Sequence, residues 1–479
     1  MPGRISLFVL FAVFVHGVDS YSQNRIESRF AEEVSQARLL GAVRDLVSFG
    51  PRIGGTPSGE QAASYLVRQL RASGYKPTVI KDPQRLSFEF KNWTLAVEEP
   101  KELHRLIQHE WIGAFSPSVP ITKSEVVFVK DLEKANAAAV AGKAVLTALP
   151  PTGKEYRRLS DWGATCVLEI SPHLVGAYSD WAMINDLPAS RNNPIPLFNL
   201  SYRNGERLIR ALSDSQQVSI RFATETKIDS TRPKTVVATL EGESEKYYIV
   251  CAHGDSDSGG PGADDNASGV STVLETARIL KKLVAMHQLP RPKYSLKFVV
   301  WGTEIFSTEN YVKQHARELQ QILGVLNLDE VGTGAARNCL YFESNDLKHN
   351  EPLLRFLDTL ATEFVGKKGF WSEATTNPSQ GGTDSYVFLP EYLRTLKVPE
   401  VKIPSVTIYT AAWNELKPLP QIPGWKSKAW HGPADTVFVD YSAYYHSSLD
   451  VPERTTEKEP FNMVVAAKAV GIALLRLAW

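Results

Sequence analysis

The chain has 479 residues, 43% apolar and 22% charged, with 53 basic and 53 acidic side chains and a formal net charge of zero. That length exceeds the roughly 250 to 300 residues at which a single core stops growing, so more than one domain is expected. The balanced charge leaves no whole-molecule field to concentrate nucleic acid, and the composition is that of neither a disordered, a collagen-like nor a membrane-bundle protein.

In chain order, the first segment is unlike the rest. Arg4, the apolar run Ile5 to Val15 and the small-residue ending Val18-Asp19-Ser20 read as a cleaved leader over residues 1–20. The run falls short of the roughly 20 residues that span a bilayer, and no later segment is read as a span. The expectation is an exported protein, secreted or periplasmic, with no membrane contact after cleavage. Its three cysteines, Cys166, Cys251 and Cys339, form no Cys-x-x-Cys pair. The core rather than disulfides is therefore the expected brace, and Cys251, set in an apolar run, reads as a buried thiol.

From Glu32 to Phe49 the residues Val34, Leu39, Leu40, Val43 and Leu46-Val47 suit an amphipathic helix, which Gly50-Pro51 ends. A turn-rich stretch from Pro51 to Gly59 leads into a second helical pattern, Glu60 to Ser73, stopped by Gly74. From Val79 the texture changes to short β runs, among them Glu125 to Val129, Ala144 to Leu146, Cys166 to Ile170 and Pro194 to Phe198. A helical pattern begins at Asn204. This middle part reads as a small mixed domain.

Near Pro233 a third texture begins. The β runs Thr235 to Leu240, Tyr247 to Cys251, Ser295 to Trp301, Gly324 to Leu328 and Pro404 to Tyr409 are interleaved with helical Ala267 to Val284, and Phe461 to Leu477 reads as a closing helix. Strands alternating with helices imply a mainly parallel, covered sheet, in which a site gathers outside the carboxyl ends of strands.

The polar motifs fall at those ends. Tyr247 to Ala252 runs directly into His253-Gly254-Asp255, an imidazole that could ligate a metal and a carboxylate that could fix its tautomer. Gly262-Ala263-Asp264-Asp265-Asn266-Ala267-Ser268-Gly269 sets two carboxylates before a helix, where one could cap and the other bind metal. Leu296 to Trp301 ends in Gly302-Thr303-Glu304, a position suited to a general base. Asn327-Leu328-Asp329-Glu330 adds carboxylates, and Trp430-His431-Gly432-Pro433-Ala434-Asp435-Thr436 adds a late histidine. Each motif alone is weak; imidazoles and carboxylates from separate segments together suit zinc.

In this order the motifs resemble the M28 zinc exopeptidases, over roughly Thr235 to the end of the chain, with Gly262 to Gly269 the most specific block. The resemblance implies an α/β fold: a three-layer exopeptidase-like domain with a mainly parallel mixed sheet, carrying a smaller inserted β-rich α/β domain. The implied division is 1–20 leader, 21–80 the first part of the peptidase domain, 81–232 a protease-associated-like insert and 233–479 the main peptidase part. The same resemblance implies a metal-dependent exopeptidase of the aminopeptidase type, with peptides as substrates. It further implies that His253 and Asp329 hold one zinc, that Asp265 bridges, that His431 serves a second zinc, and that Glu304 is the base, with Asp255 supporting His253.

One position departs from the family pattern. The residue after Glu304 is Ile305, without a donor atom, where the family carries a second ligating Glu, so the second zinc position is expected to be weakened. Glu309 and Asp384 are candidates to replace it. Two other readings remain open: a binding protein that has kept the fold, and a single-zinc acyltransferase resembling glutaminyl cyclases. Trp371, Tyr386 and Trp413 are candidate pocket aromatics.

Overall fold

The computed structural model describes residues 25–104, 110–173, 177–256, 259–334, 338–378, 382–410, 416–418, 427, 429, 431, 436–438 and 442–479. The leader at 1–20 and Trp413 lie outside these residues. The first expected helix spans Gln36–Val47, with Ser35 as N-cap accepting from the Arg38 amide, and buries Leu39, Val43 and Leu46. The second spans Pro57–Ala72, a turn earlier than the apolar pattern begins, because Thr56 caps it and Pro57 suits the first helical position.

The strands form two large sheets. Those named here are β1 (Thr78–Lys81), β2 (Arg85–Glu99), β3 (Trp111–Ile112), β4 (Val119–Phe128), β5 (Lys143–Thr147), β6 (Cys166–Ile170), β7 (Leu197–Leu200), β8 (Ser219–Thr231), β9 (Lys234–Leu240), β10 (Ser244–His253), β11 (Tyr294–Trp301), β12 (Ile322–Leu328), β13 (Cys339–Ser344), β14 (Glu373–Pro378) and β15 (Ser405–Tyr409). The larger sheet has eight strands in the order β1-β9-β11-β10-β12-β15-β13-β14. Its centre, β11-β10-β12-β15, is parallel, and its antiparallel pairs are β1 with β9, β9 with β11, and β13 with β15. It is the mixed, mainly parallel sheet that the β and α alternation predicts.

Alternate residues of the central strands feed two cores. Val250, Ala252, Phe298 and Val300 face one side, packed with helices Gly269–Ala285 and Phe461–Ala478; Ile249, Cys251, Val299 and Trp301 face the other, with Tyr311 and Phe388. Covering on both faces explains why these strands read as continuous apolar runs. Helix Phe461–Ala478 corrects one expectation, since its 18 residues with mean hydropathy 1.7 meet the length and apolarity of a membrane span. It is 72% buried in the protein, and such a helix is apolar all round because protein surrounds it. The three cysteines are buried and form no disulfide with one another.

The smaller sheet has seven strands in the order β2-β8-β4-β5-β6-β7-β3 and forms a second domain with its own cores on both faces. β2 and β8 pair antiparallel from Arg85–Thr231 to Glu99–Ser219. Because β1 pairs with β9 in the larger sheet, the chain leaves that sheet before β2 and rejoins it after β8.

Candidate metal centre

His253 ends β10, Glu304 follows β11 and Asp329 follows β12, so three parallel neighbours deliver their polar residues to one edge. Asp265 arrives from the segment Ala263–Ser268, just before helix Gly269–Ala285. The backbone there turns sharply: Gly262 has φ 62°, and a Cβ on it would meet Asp265 O at 2.4 Å and Ser256 Cβ at 2.5 Å. The Asp265-Asn266 peptide is cis.

His253, Asp265 and Asp329 come together as one donor cluster. His253 Nε2 lies 3.1 Å from Asp265 Oδ1 and 3.5 Å from Asp329 Oδ1. Donors about 2.0 to 2.1 Å from a tetrahedral zinc stand about 3.3 Å from one another, so these separations fit that ion. The opposite ring nitrogen, Nδ1, is 3.1 Å from Asp255 Oδ1, and the same oxygen accepts from the Glu304 amide at 3.0 Å. Asp255 thus keeps the Nδ1 proton and leaves the Nε2 lone pair for a metal. It also fixes the start of the Glu304 turn. Thr383 donates its hydroxyl to Asp329 Oδ2, turning Oδ1 toward the cluster.

The structure does not bring His431 to this group. Its side chain is 61% exposed, with Nδ1 4.0 Å from Glu373. His446 stands at the cluster instead, its Nε2 3.2 Å from Asp265 Oδ2. Asp265 therefore faces His253 with one oxygen and His446 with the other. The sequence carried a clue that could not discriminate: His431 and His446 are each followed by an aspartate four residues on, Asp435 and Asp450. Asp450 decides in favour of the second pair, since its two oxygens accept the amides of Asp264 and Asp265 at 2.8 and 3.0 Å and so bind the two motifs together.

Asp264 caps no helix. Its carboxylate accepts from the Gly332 amide at 2.7 Å and from the Thr333 hydroxyl, locking the loop after Asp329. Of the candidate replacements for the missing Glu, Glu309 is engaged by Lys313 and Tyr392. Asp384 lies fully buried beneath the Glu304 turn, accepting from the Ile305 amide at 2.8 Å and from the Thr308 hydroxyl. Neither joins the donor cluster. Trp371 is a core residue, its indole N–H on Ala361 O.

A residue the sequence reading did not single out is Arg52. Its guanidinium, 1% exposed, donates to the carbonyls of Gly254, Pro261 and Gly262 at 3.2, 2.8 and 2.7 Å, clamping the His253 and Asp265 loops. The signal was its place in the turn-rich run from Pro51 to Gly59. Burial draws its pKa down to about 10, opposed by Asp450, Asp255 and Asp265. Burial also pushes Asp264 up to about 7 and Glu330 and Asp450 well above the ordinary carboxylate range. Asp265 goes the other way: burial raises it, but bonds from His253 and His446 outweigh that and hold it below the ordinary range. Such a concentration of buried carboxylates suits a cation held among them.

Three residues around the cluster have left-handed backbone: Ile305 at φ 55°, Glu330 at 52° and His446 at 44°. At Ile305 the Phe306 amide donates back to Glu304 O, making a γ-turn on a β-branched residue. Strain of this kind persists where surrounding bonds over-determine it, here through Asp384 and Asp255.

An α/β domain whose mixed sheet presents a His-Asp-Asp cluster at its carboxyl edge defines a class of metal-dependent α/β proteins. Residues 235–460 match the model of peptidase family M28. The probable leucine aminopeptidase 2 of Aspergillus oryzae is 25% identical over 346 residues, which are 68% of this chain and 65% of that protein. The probable lipoprotein aminopeptidase LpqL of Mycobacterium tuberculosis is 27% identical over 278 residues, 55% and 51% of the two chains. The chain thus spans between half and two thirds of these relatives. Among solved structures, a zinc aminopeptidase from Bacillus subtilis superposes with TM-score 0.60 at 18% identity, covering 93% of this chain and 95% of that one. A peptidase M28 precursor from Shewanella amazonensis gives TM-score 0.66 at 16% identity, covering 95% and 97%. Residues 235–460 are thus similar to peptidase family M28, on a fold that these solved structures share.

Proposed function

We propose that the protein is a zinc-dependent exopeptidase acting on peptides from the amino end. The observation that carries this reading is the His253-Asp265-Asp329 cluster with donor separations of 3.1 and 3.5 Å, at the strand edge where Glu304 also begins its turn. The names of the relatives, aminopeptidases of a fungus and a mycobacterium, agree with it.

Zinc, when held there, lowers the pKa of water and polarises a carbonyl. His253, Asp265 and Asp329 supply the holding donors, and Asp255 keeps His253 in the tautomer that can donate its Nε2 lone pair. Glu304 accepts a proton from the attacking water and returns it to the leaving amine. His446 serves the opposite oxygen of Asp265. With Ile305 in place of a carboxylate, that side keeps only Asp265 and His446 among the described residues, so it holds its ion weakly. We assign the smaller sheet to a protease-associated-like insert, residues 81–232, and residues 1–20 to an export leader, in keeping with the lipoprotein relative.

The test is metal analysis of the purified chain together with assay on a panel of aminoacyl chromogenic substrates. Tightly held zinc and release of the chromophore support the reading. Ile305 favours a second reading, a binding protein that retains the fold; a chain that keeps zinc but hydrolyses nothing, with Glu304→Gln indistinguishable from wild type, would establish it. Ring closure of an amino-terminal Gln peptide with ammonia release would instead reveal the acyltransferase chemistry.

A further inference from the structure

The segment that carries His446 is not supported by its own domain alone. On one side Asp450 ties it to Asp264 and Asp265, and the Ser442 amide reaches Glu330 at 3.4 Å. On the other side lies a strip of the second domain, residues 177–184, between β6 and β7. From it Tyr178 donates its hydroxyl to Tyr445 O at 3.0 Å, Trp181 donates its indole N–H to Ala443 O at 3.1 Å, and the Ile184 amide donates to His446 O at 2.6 Å. Met183 and Ser447 form an antiparallel bridge, and the rings of Trp181 and Tyr444 lie 4.8 Å apart. Three successive groups of one domain thus engage the backbone of the other along the run that ends at His446.

That strip is anchored in its own domain. The Met183 amide donates to Ser171 Oγ at 2.8 Å at the end of β6, and the amides of Tyr202 and Arg203, opening helix Tyr202–Ser213, donate to Tyr178 O and Ser179 O at 2.9 and 3.0 Å. Irregular backbone with φ 44° at His446 does not hold an imidazole in place by itself. A donor's orientation is set by the groups behind it, and their loss typically weakens metal affinity by roughly 10- to 100-fold.

We propose that the second domain is a positioning element for the metal centre: through Tyr178, Trp181 and Ile184 it fixes the His446 imidazole against Asp265 and thereby sets how firmly the His446 side holds zinc. This rests on the reading of His446 as a zinc donor. The residues of the strip touch no reacting atom; they act through His446.

The experiment is a zinc titration of the metal-depleted full-length protein in competition with a chromophoric chelator, on wild type, the double variant Trp181→Phe/Tyr178→Phe, and His446→Ala. The Phe substitutions keep an aromatic ring at each position and remove both donors. Expected are a tight and a weak step in wild type, the weak step lowered roughly tenfold or more in the double variant, and the tight step at His253, Asp265 and Asp329 changed by less than about twofold. Loss of the weak step in His446→Ala, with the double variant like wild type, overturns the positioning role while sparing the metal reading. A His446→Ala isotherm identical to wild type overturns the metal reading itself, and the positioning role with it. Equal weakening of both steps in the double variant also counts against the proposal, because it marks general loosening of the fold.

Discussion

The two sides of Asp265 are built differently. On the Oδ1 side His253 Nε2 stands 3.1 Å from Asp265 and 3.5 Å from Asp329 Oδ1; both donors end parallel strands and each is held from behind by a neighbouring side chain, Asp255 and Thr383. Toward Oδ2 stands His446, on irregular backbone, held by Asp450 from one domain and by residues 178–184 from the other. A regular sheet fixes a donor with local bonds; an irregular segment needs support from a second body.

Four substitutions break or sharpen this contrast. The largest expected effect is Glu304→Gln, which removes the proton acceptor on the strand-end side and is expected to lower kcat by roughly 10²- to 10⁴-fold while leaving zinc content unchanged. Steady-state kinetics with metal analysis check it, and turnover equal to wild type removes Glu304 from the mechanism.

Next, Arg52→Met leaves the carbonyls of Gly254, Pro261 and Gly262 without their donor and the nearby carboxylates without their cation. A loss of about 3 to 5 kcal/mol in unfolding free energy is expected, read by denaturant melts. A loss below about 1 kcal/mol would show that the two ligand loops hold together without the clamp.

The second domain carries its own pH dependence. Glu169, on β6 of the second domain, bonds Asn185 with one oxygen while the other is buried without a partner, and burial pushes its pKa up to about 7 from 4.5. The folded state therefore holds the proton more tightly than the unfolded one. Its stability is greatest below pH 4.5, falls as pH rises toward 7 and is level above that, a change of about 3 kcal/mol. Glu169→Gln keeps the bond from Asn185 and is expected to flatten the profile; melting temperatures at pH 5 and pH 8 that shift as much as in wild type would remove Glu169 as the cause.

The smallest effect is expected from Asp255→Asn, which weakens the hold on His253 Nδ1. Zinc affinity of the tight step is expected to fall by roughly 10- to 100-fold, with the His446 step unaffected. Equal weakening of both steps would mean that the two sides of Asp265 are not independent.

This division also explains what the amino-acid sequence revealed. Donors at strand ends follow apolar runs that announce themselves, as Tyr247 to Ala252 announces His253 and Val325 to Leu328 announces Asp329. His446 has no such herald: its neighbours Tyr444, Tyr445 and Ser447 form no periodic element, and an equally spaced His-Asp pair lay fifteen residues earlier at His431. The bonds from Asp450 to the Asp264 and Asp265 amides decided between them, and spacing along a chain does not encode those. In the same way the central strands β10, β11 and β12 were legible because both faces are covered. The long pair β2 and β8 was not, since one flank of each is exposed and carries charges such as Lys91, Arg221 and Lys227 that blur the alternation. Arg52 escaped notice because nothing in a Pro- and Gly-rich turn distinguishes a buried guanidinium from a solvated one.

Helix Phe461–Ala478 has a consequence for the order in which the molecule can be assembled. It packs on the helices at Gln36–Val47 and Gly269–Ala285, and Arg476 pairs with Glu27, 449 positions away. On the ribosome, every strand of the seven-stranded sheet has emerged while this helix is still untranslated. The small domain can close first, and the large one stays incomplete, with apolar surface uncovered, until the last turns of the chain arrive. A nascent chain stalled before residue 461 should therefore show a protease-resistant fragment containing residues 85–231 and a digestible remainder.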